Sequence, residues 1–193
     1  MSSAAGASFC SGCSAGNYIK DSSACVACKE GKYSLQNEAT SCTNCESGKF
    51  SSQIGANSPV TCIDCQSGKY SSQVGATSSE TCKNCESGKY SSDTGAEACT
   101  DCQTGKFVAA AGATTCTNCE SGKYSSQVGA STCTNCELGK FYSQVGAISC
   151  EKCESGKYSS STGATTCDHC KAGKYVPNTE VEKKICHDCV PGR

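Results

Sequence analysis

Cysteine recurs through this chain as Cys-x-x-Cys, and no other feature limits its folding so strongly. The 22 cysteines form eleven such pairs, starting at Cys10, Cys25, Cys42, Cys62, Cys82, Cys99, Cys116, Cys133, Cys150, Cys167 and Cys186. Successive starts lie 15, 17, 20, 20, 17, 17, 17, 17, 17 and 19 residues apart. A fixed period of this length is the signature of a repeat architecture, in which one small unit is stacked many times. Repetition of this kind suits a scaffold or a binding array better than an enzyme.

The rest of the composition shows why the cysteines must hold the fold. Leu, Ile, Val and Phe together make only 20 of 193 residues, and there is no Trp. Such a chain cannot bury enough apolar surface to offset its conformational entropy, so cross-links or metals must replace the core. The net charge of −1 argues against nucleic acid or an anionic membrane surface as partner. No stretch is long and apolar enough to span a membrane. The start, Met1-Ser2-Ser3-Ala4-Ala5-Gly6, has neither the basic residues nor the apolar run of a signal peptide.

Each unit reads Cys-x-x-Cys-x-x-Gly-Lys-aromatic-Ser-Ser-x-x-Gly-Ala-x-x-Cys, as from Cys116 to Cys133. Ten of the twelve aromatics occupy one column: Tyr18, Tyr33, Phe50, Tyr70, Tyr90, Phe107, Tyr124, Phe141, Tyr158 and Tyr175. We expect these rings to pack over neighbouring cross-links. The recurrence of Gly and Ser leaves no room for a stable helix, so the expectation is short extended segments, hairpins and turns. The second glycine of the unit reads as a turn position needing positive φ. Glu38 and Glu180 replace it in two units, where a different turn is expected. Two units carry three extra residues before the closing cysteine, around residues 57–59 and 77–79, consistent with surface loops. These loops and the last unit, Val176 to Ile185, are where a specific contact would first be sought, because variable loops on a rigid scaffold commonly carry recognition.

The charges repeat as well. Glu or Gln follows the second cysteine (Glu46, Gln66, Glu86, Gln103, Glu120, Glu137, Glu154) and Lys follows three residues later (Lys49, Lys69, Lys89, Lys106, Lys123, Lys140, Lys157). A docking ladder is one reading; a solvated, near-neutral surface is the plainer one, since exposed pairs contribute little.

Three chemistries compete for the cysteines. In a disulfide framework, the second cysteine of each pair joins the first of the next, making each loop one unit. This gives Cys13–Cys25, Cys28–Cys42, Cys45–Cys62, Cys65–Cys82, Cys85–Cys99, Cys102–Cys116, Cys119–Cys133, Cys136–Cys150, Cys153–Cys167 and Cys170–Cys186, with Cys10 and Cys189 unpaired. Each loop of this size stabilises by about 3 kcal/mol in the chain-entropy view. An interleaved pairing between adjacent units is equally compatible with the spacing. Alternatively, two adjacent pairs supply four thiolates to zinc, which would make this an intracellular metal-binding thiolate protein. Against zinc, the 17-residue units are shorter than usual for such sites, and identical pairs give no rule for which two share a metal. Redox exchange is the weakest reading, because the motif is repeated eleven times with no helix to activate it. His169 and His187 sit inside Cys-x-x-Cys pairs, but a true ligand should recur with the repeat. No phosphate loop, nucleophile elbow, catalytic carboxylate pair or calcium loop is present, so no enzyme activity, cofactor or metal site is assigned.

The motif Cys-x-x-Cys-x-x-Gly-Lys-Tyr/Phe-Ser-Ser…Gly-Ala-x-x-Cys resembles the ephrin-receptor-like cysteine-rich repeat. That module is related to those of tumour necrosis factor receptor ectodomains and of the growth-factor-receptor cysteine-rich fold. The resemblance runs from Ser2 to Arg193. It implies a small disulfide-rich fold, an elongated tandem array, secretion or membrane anchoring, and a place outside the cell or at its surface. The family's Cys-x-x-Gly-x-Tyr…Cys loop maps onto Cys119, Gly122, Tyr124 and Cys133, in support of the loop pairing above. No kinase signature accompanies it.

The expected organisation is one continuous array over 1–193. A partial module covers 1–10, ten modules of 15–20 residues run from 10 to 189, and a further one opens at 189–193. Both ends cut a module, as expected of a piece of a larger protein. Each module is expected to contact mainly its neighbours. The expected role is a non-enzymatic, disulfide-stapled spacer or ectodomain segment, structural, adhesive or binding a protein or glycan ligand.

Overall fold

Each module begins with a turn that its sequence makes nearly obligatory. In Glu120-Ser121-Gly122-Lys123 the Lys123 N–H donates to the Glu120 carbonyl at 3.0 Å, and Gly122 has φ 77°. A positive φ at the third residue defines a type II turn, where a side chain would be strained. The turn launches the two-residue strand Lys123–Tyr124, which pairs antiparallel with Thr134–Asn135 of the following Cys-x-x-Cys. The hairpin is closed by Cys136 N–H donating to the Gly122 carbonyl at 2.8 Å.

The computed structural model describes residues 12–21, 24–177 and 183–190. Among these, ten two-stranded antiparallel sheets follow one another in tandem, from Asn17–Asp21 with Ala24–Ala27 to Lys174–Tyr175 with His187–Asp188. No α-helix occurs among the described residues, and no helix is long and apolar enough to cross a membrane. The chain is a small disulfide-rich tandem array of hairpins. It divides into two compact units, 1–85 with 91–99 and 86–90 with 100–193, so that the division passes through the module opening at Cys85.

Ten disulfides join the second cysteine of each pair to the first of the next: Cys13–Cys25, Cys28–Cys42, Cys45–Cys62, Cys65–Cys82, Cys85–Cys99, Cys102–Cys116, Cys119–Cys133, Cys136–Cys150, Cys153–Cys167 and Cys170–Cys186. The core is mostly this column of sulfur. Cys28, Cys45, Cys85, Cys102, Cys119 and Cys136 are completely buried, and alanines such as Ala56 and Ala76 fill in beside them. Cys189 is free and exposed. Cys10 and Glu180 lie outside the described residues.

Modules are tied together by backbone hydrogen bonds. Gly105 N–H donates to Ser125 O in the next module, Ser125 N–H donates to Ala147 O in the one after, and Gly146 N–H donates back to Cys119 O. The equivalent bonds Gly31 to Ser51, Ser51 to Ala76 and Gly75 to Cys45 recur in the other unit. Ser34, Ser51, Ser71, Ser125 and Ser159 are buried where the main chain serves two neighbours, and Ser91 is buried where its carbonyl accepts from Gly68 N–H. Val108 and Tyr142 hold the same position with the same backbone bonds, so the main chain, not the hydroxyl, makes the link.

Contacts also reach two modules on, beyond the nearest-neighbour expectation. A Cβ on Gly122 would collide with the carbonyl oxygen of Gly163, and Gly16, Gly31, Gly48, Gly88 and Gly105 are closed off in the same way. Ser47 donates to Glu97 across the same step at 2.7 Å. The first glycine therefore meets two demands, positive φ and a backbone pressed against it. Gly156 and Gly173 have nothing within 4 Å.

The expectation of a different turn at Glu38 is incorrect. Glu38 adopts φ 59°, the left-handed conformation of the glycines it replaces, and its N–H donates to Cys13 O at 2.7 Å. The interlocking backbone fixes the conformation, and the residue tolerates it at a cost of about 1 kcal/mol. The three-residue insertions are built as 3₁₀ turns, Pro59–Thr61 and Ser79–Thr81. They leave the hairpin register unchanged: Lys49 still faces Asp64 as Lys123 faces Asn135.

Candidate functional site

No nucleophile–base arrangement or metal cluster is found among the described residues. Twenty cysteines that could serve as thiolates are instead in disulfides, which removes the ligands a zinc array would need. His169 is exposed on the strand facing Lys157. His187 lies against the Tyr175 ring, with centroids 6.1 Å apart and planes tilted by 44°. What the array offers is a repeated surface of aromatic edges, lysines and carboxylates, and its geometry follows from the type II turn and the hairpin.

The turn places its first and fourth residues side by side. Glu120 and Lys123 meet at 2.9 Å, Glu137 and Lys140 at 2.9 Å, and Glu154 and Lys157 at 2.8 Å. Hydrogen bonding to Lys140 and the charge of that ammonium hold the Glu137 carboxyl below its ordinary range; Lys157 does the same to Glu154. Where the hairpin partner is Asp, lysine turns across the sheet instead. Lys49 meets Asp64 at 2.8 Å, Lys89 meets Asp101 at 2.6 Å and Lys174 meets Asp188 at 2.8 Å. The hydrogen bond that Lys49 donates to Asp64 raises the Lys49 pKa, and the one that Lys174 donates to Asp188 lowers the pKa of Asp188. Every one of these pairs is solvent-exposed or nearly so, hence worth little in stability. The cross-strand partner position, the residue before the second cysteine, is visible in the sequence as the Asn/Asp column Asn44, Asp64, Asn84, Asp101, Asn118 and Asn135, of which only the aspartates offer a carboxylate. Only the hairpin register shows that this column faces the lysines.

The aromatic column is half-buried along most of its length: Tyr18, Tyr33, Phe50, Tyr70, Tyr90, Phe107, Tyr124, Phe141 and Tyr158 each keep part of the ring accessible. Tyr175 is the exception, 47% exposed. Tyr18 lines a crevice of 360 Å³ together with Lys29, Lys32, Ser41 and Cys42 of the following module. The corresponding crevice two modules on, 370 Å³, is lined by Phe50 with Asp64, Gln66, Lys69 and Cys82 among others. Near Tyr124 a third, 440 Å³, has an uncharged lining that includes Ser126, Gln127 and Thr134.

A second exposed column runs along the turns before the second glycine. Ile54, Val74, Val128 and Val145 are each more than half exposed. Val60 at the 3₁₀ insertion is 83% exposed. Burial of branched aliphatics in so poor a core would be expected if it were sterically open to them. They stay outside because the interior of each loop is filled by backbone.

Comparison with known families gives matches along the array. A model described as tyrosine-protein kinase ephrin type A/B receptor-like matches residues 16–62, 88–131, 105–153 and 122–170, the last three overlapping in tandem, and together these cover more than half of the chain. A search of curated proteins found none that match it.

Proposed function

Because the chain belongs to the ephrin type A/B receptor-like family of cysteine-rich repeats, we propose that it is an extracellular, non-enzymatic scaffold whose modules present a protein-binding surface. Repeats of this family are of a ligand-binding ectodomain type, held by disulfides. The observation that carries the reading is the backbone interlock. Each module is stapled by its own disulfide and bonded through main-chain groups to the next, so the geometry is set independently of the exposed side chains. That arrangement frees the outward residues to vary for recognition while neighbouring modules within each compact unit keep their spacing. Disulfides of this density belong to oxidising compartments, which supports a place outside the cell.

The experiment begins with the full chain secreted from a eukaryotic host. The folded and the reduced, alkylated forms are compared for binding to cell surfaces, before and after those cells are treated with protease. Binding by the folded form alone, lost from protease-treated cells, is the expected result. Equal binding by the reduced form, or a secreted product whose twenty paired cysteines remain open to alkylation and whose fold collapses with chelator, would overturn the reading.

A further inference from the structure

Two modules reverse the charge that most of the array keeps, and one of them leaves it uncompensated. In the turn Lys29-Glu30-Gly31-Lys32, the position that carries Glu or Gln in seven modules carries Lys29. The turn itself is kept: Lys32 N–H donates to Lys29 O at 3.2 Å and Gly31 has φ 74°. The turn that joins Glu120 to Lys123 at 2.9 Å therefore carries a lysine at both its first and its fourth residue here. Across the hairpin Lys32 faces Asn44, not an aspartate. Neither lysine has an ion pair among the described residues. The other double-lysine turn, Lys171 to Lys174, differs because Asp188 takes Lys174 at 2.8 Å.

Both lysines line the 360 Å³ crevice with the Tyr18 ring, Ser41 and Cys42. The carboxylates nearest in sequence, Asp21, Glu30 and Glu38, are not among its lining residues. The volume lies within the range of small-ligand clefts, about 300 to 1,000 Å³. We propose that this crevice binds an anionic saccharide, with the acid group held between Lys29 and Lys32 and the sugar ring against Tyr18. Two ammonium groups supply charge-assisted hydrogen bonds to a sulfate or carboxylate. Neither lysine is neutralised by an ion pair among the described residues, so both are available to a ligand's charge, unlike the paired lysines of other modules. The half-buried Tyr18 ring offers an apolar face with limited freedom to lose, and the Ser41 hydroxyl serves a sugar hydroxyl. The Phe50 crevice is an internal control, since its lining includes Asp64, a carboxylate paired with Lys49, and Gln66 stands where a second cation would be.

The test follows amide chemical shifts of the folded full chain during titration with sulfated N-acetylglucosamine, glucuronic acid, unmodified N-acetylglucosamine and inorganic sulfate. The two anionic sugars distinguish a sulfate ester from a carboxylate as the acid group. At least one of them should shift Tyr18, Lys29, Lys32 and Ser41, with the neutral sugar and the free ion about tenfold weaker or silent. Lys29→Glu restores the turn pair of the other modules, so it should fold normally and lose about tenfold in affinity, the effect of one charge-assisted contact. Lys32→Gln should lose a similar factor. Equal binding of inorganic sulfate, shifts spread over lysines throughout the chain, or unchanged affinity in Lys29→Glu would each overturn the proposal. These outcomes are read at the crevice residues and are separate from those of the cell-surface experiment, which compares the folded with the reduced chain.

Discussion

The Glu38 N–H donates to the carbonyl oxygen of Cys13 at 2.7 Å, the same bond that Gly55 makes to Cys28 one module later. Glu38 reaches it only by adopting φ 59°. The stacking of modules thus imposes a glycine conformation on a residue that disfavours it. Replacing Glu38 by glycine should relieve the strain and stabilise the array by about 1 kcal/mol, less whatever glycine costs through the unfolded state. Denaturant midpoints of the two proteins check this; a loss of stability would mean that the Glu38 side chain makes a contribution larger than the strain.

Gly122 and Gly173 share the same turn but not the same surroundings. A Cβ at Gly122 meets the Gly163 carbonyl, whereas nothing lies within 4 Å of Gly173. Gly122→Ala should cost roughly 3 kcal/mol, combining left-handed strain with a clash against backbone that cannot move aside. Gly173→Ala should cost only the strain, about 1 kcal/mol. Hydrogen exchange at Ser125 and Gly146 should report the first substitution and ignore the second.

In the last module the role of the second glycine passes to a side chain. Lys183 donates from Nζ to the Cys153 carbonyl, the oxygen whose counterpart at Cys136 accepts from Gly163 N–H, while its own carbonyl accepts from Ser159 N–H. Lys183→Met keeps the stem and removes the donor. It should destabilise this end by about 1 to 2 kcal/mol, seen as faster amide exchange at Ser159 with little change near Gly55.

The exposed pairs predict a small acid-dependent term. Glu137, Glu154 and Asp188 each have a carboxyl pKa lowered by a lysine partner. A depressed folded-state pKa means stabilisation that is present above the ordinary carboxylate value and lost as pH falls through the folded value. Stability should therefore be flat near neutrality and decline in the acid range, with less decline at high salt because the groups are screened. In Lys140→Gln the Glu137 titration should move back up while that of Glu154 stays in place; NMR titration of both carboxylates checks it.

The spacing of the cysteines, the near absence of large aliphatics and the Gly-Lys-aromatic run were sufficient to read a disulfide-rich tandem array of hairpins without helix. These features are local: turn type, strand length and the missing core follow from residues close in sequence. Pairing of strands in register was not readable, and with it the choice lysine makes between Glu at the start of its turn and Asp across the hairpin. The contacts of Gly122 with Gly163, and of Ser47 with Glu97, were invisible for the same reason. They join residues two modules apart, and each copy of a repeated sequence looks alike wherever its neighbours lie. Sequence alone established that cross-links or metals must stand in for a core and that the second glycine of the module sits in a turn, because no other residues could supply a core and glycine is the residue that takes positive φ without strain. Tertiary structure alone decided that the backbone of one module serves as a wall for the module two before it. Main-chain bonds between adjacent modules, equally hidden in a repeated sequence, hold Glu38 in a glycine conformation and engage the backbone of the buried serines.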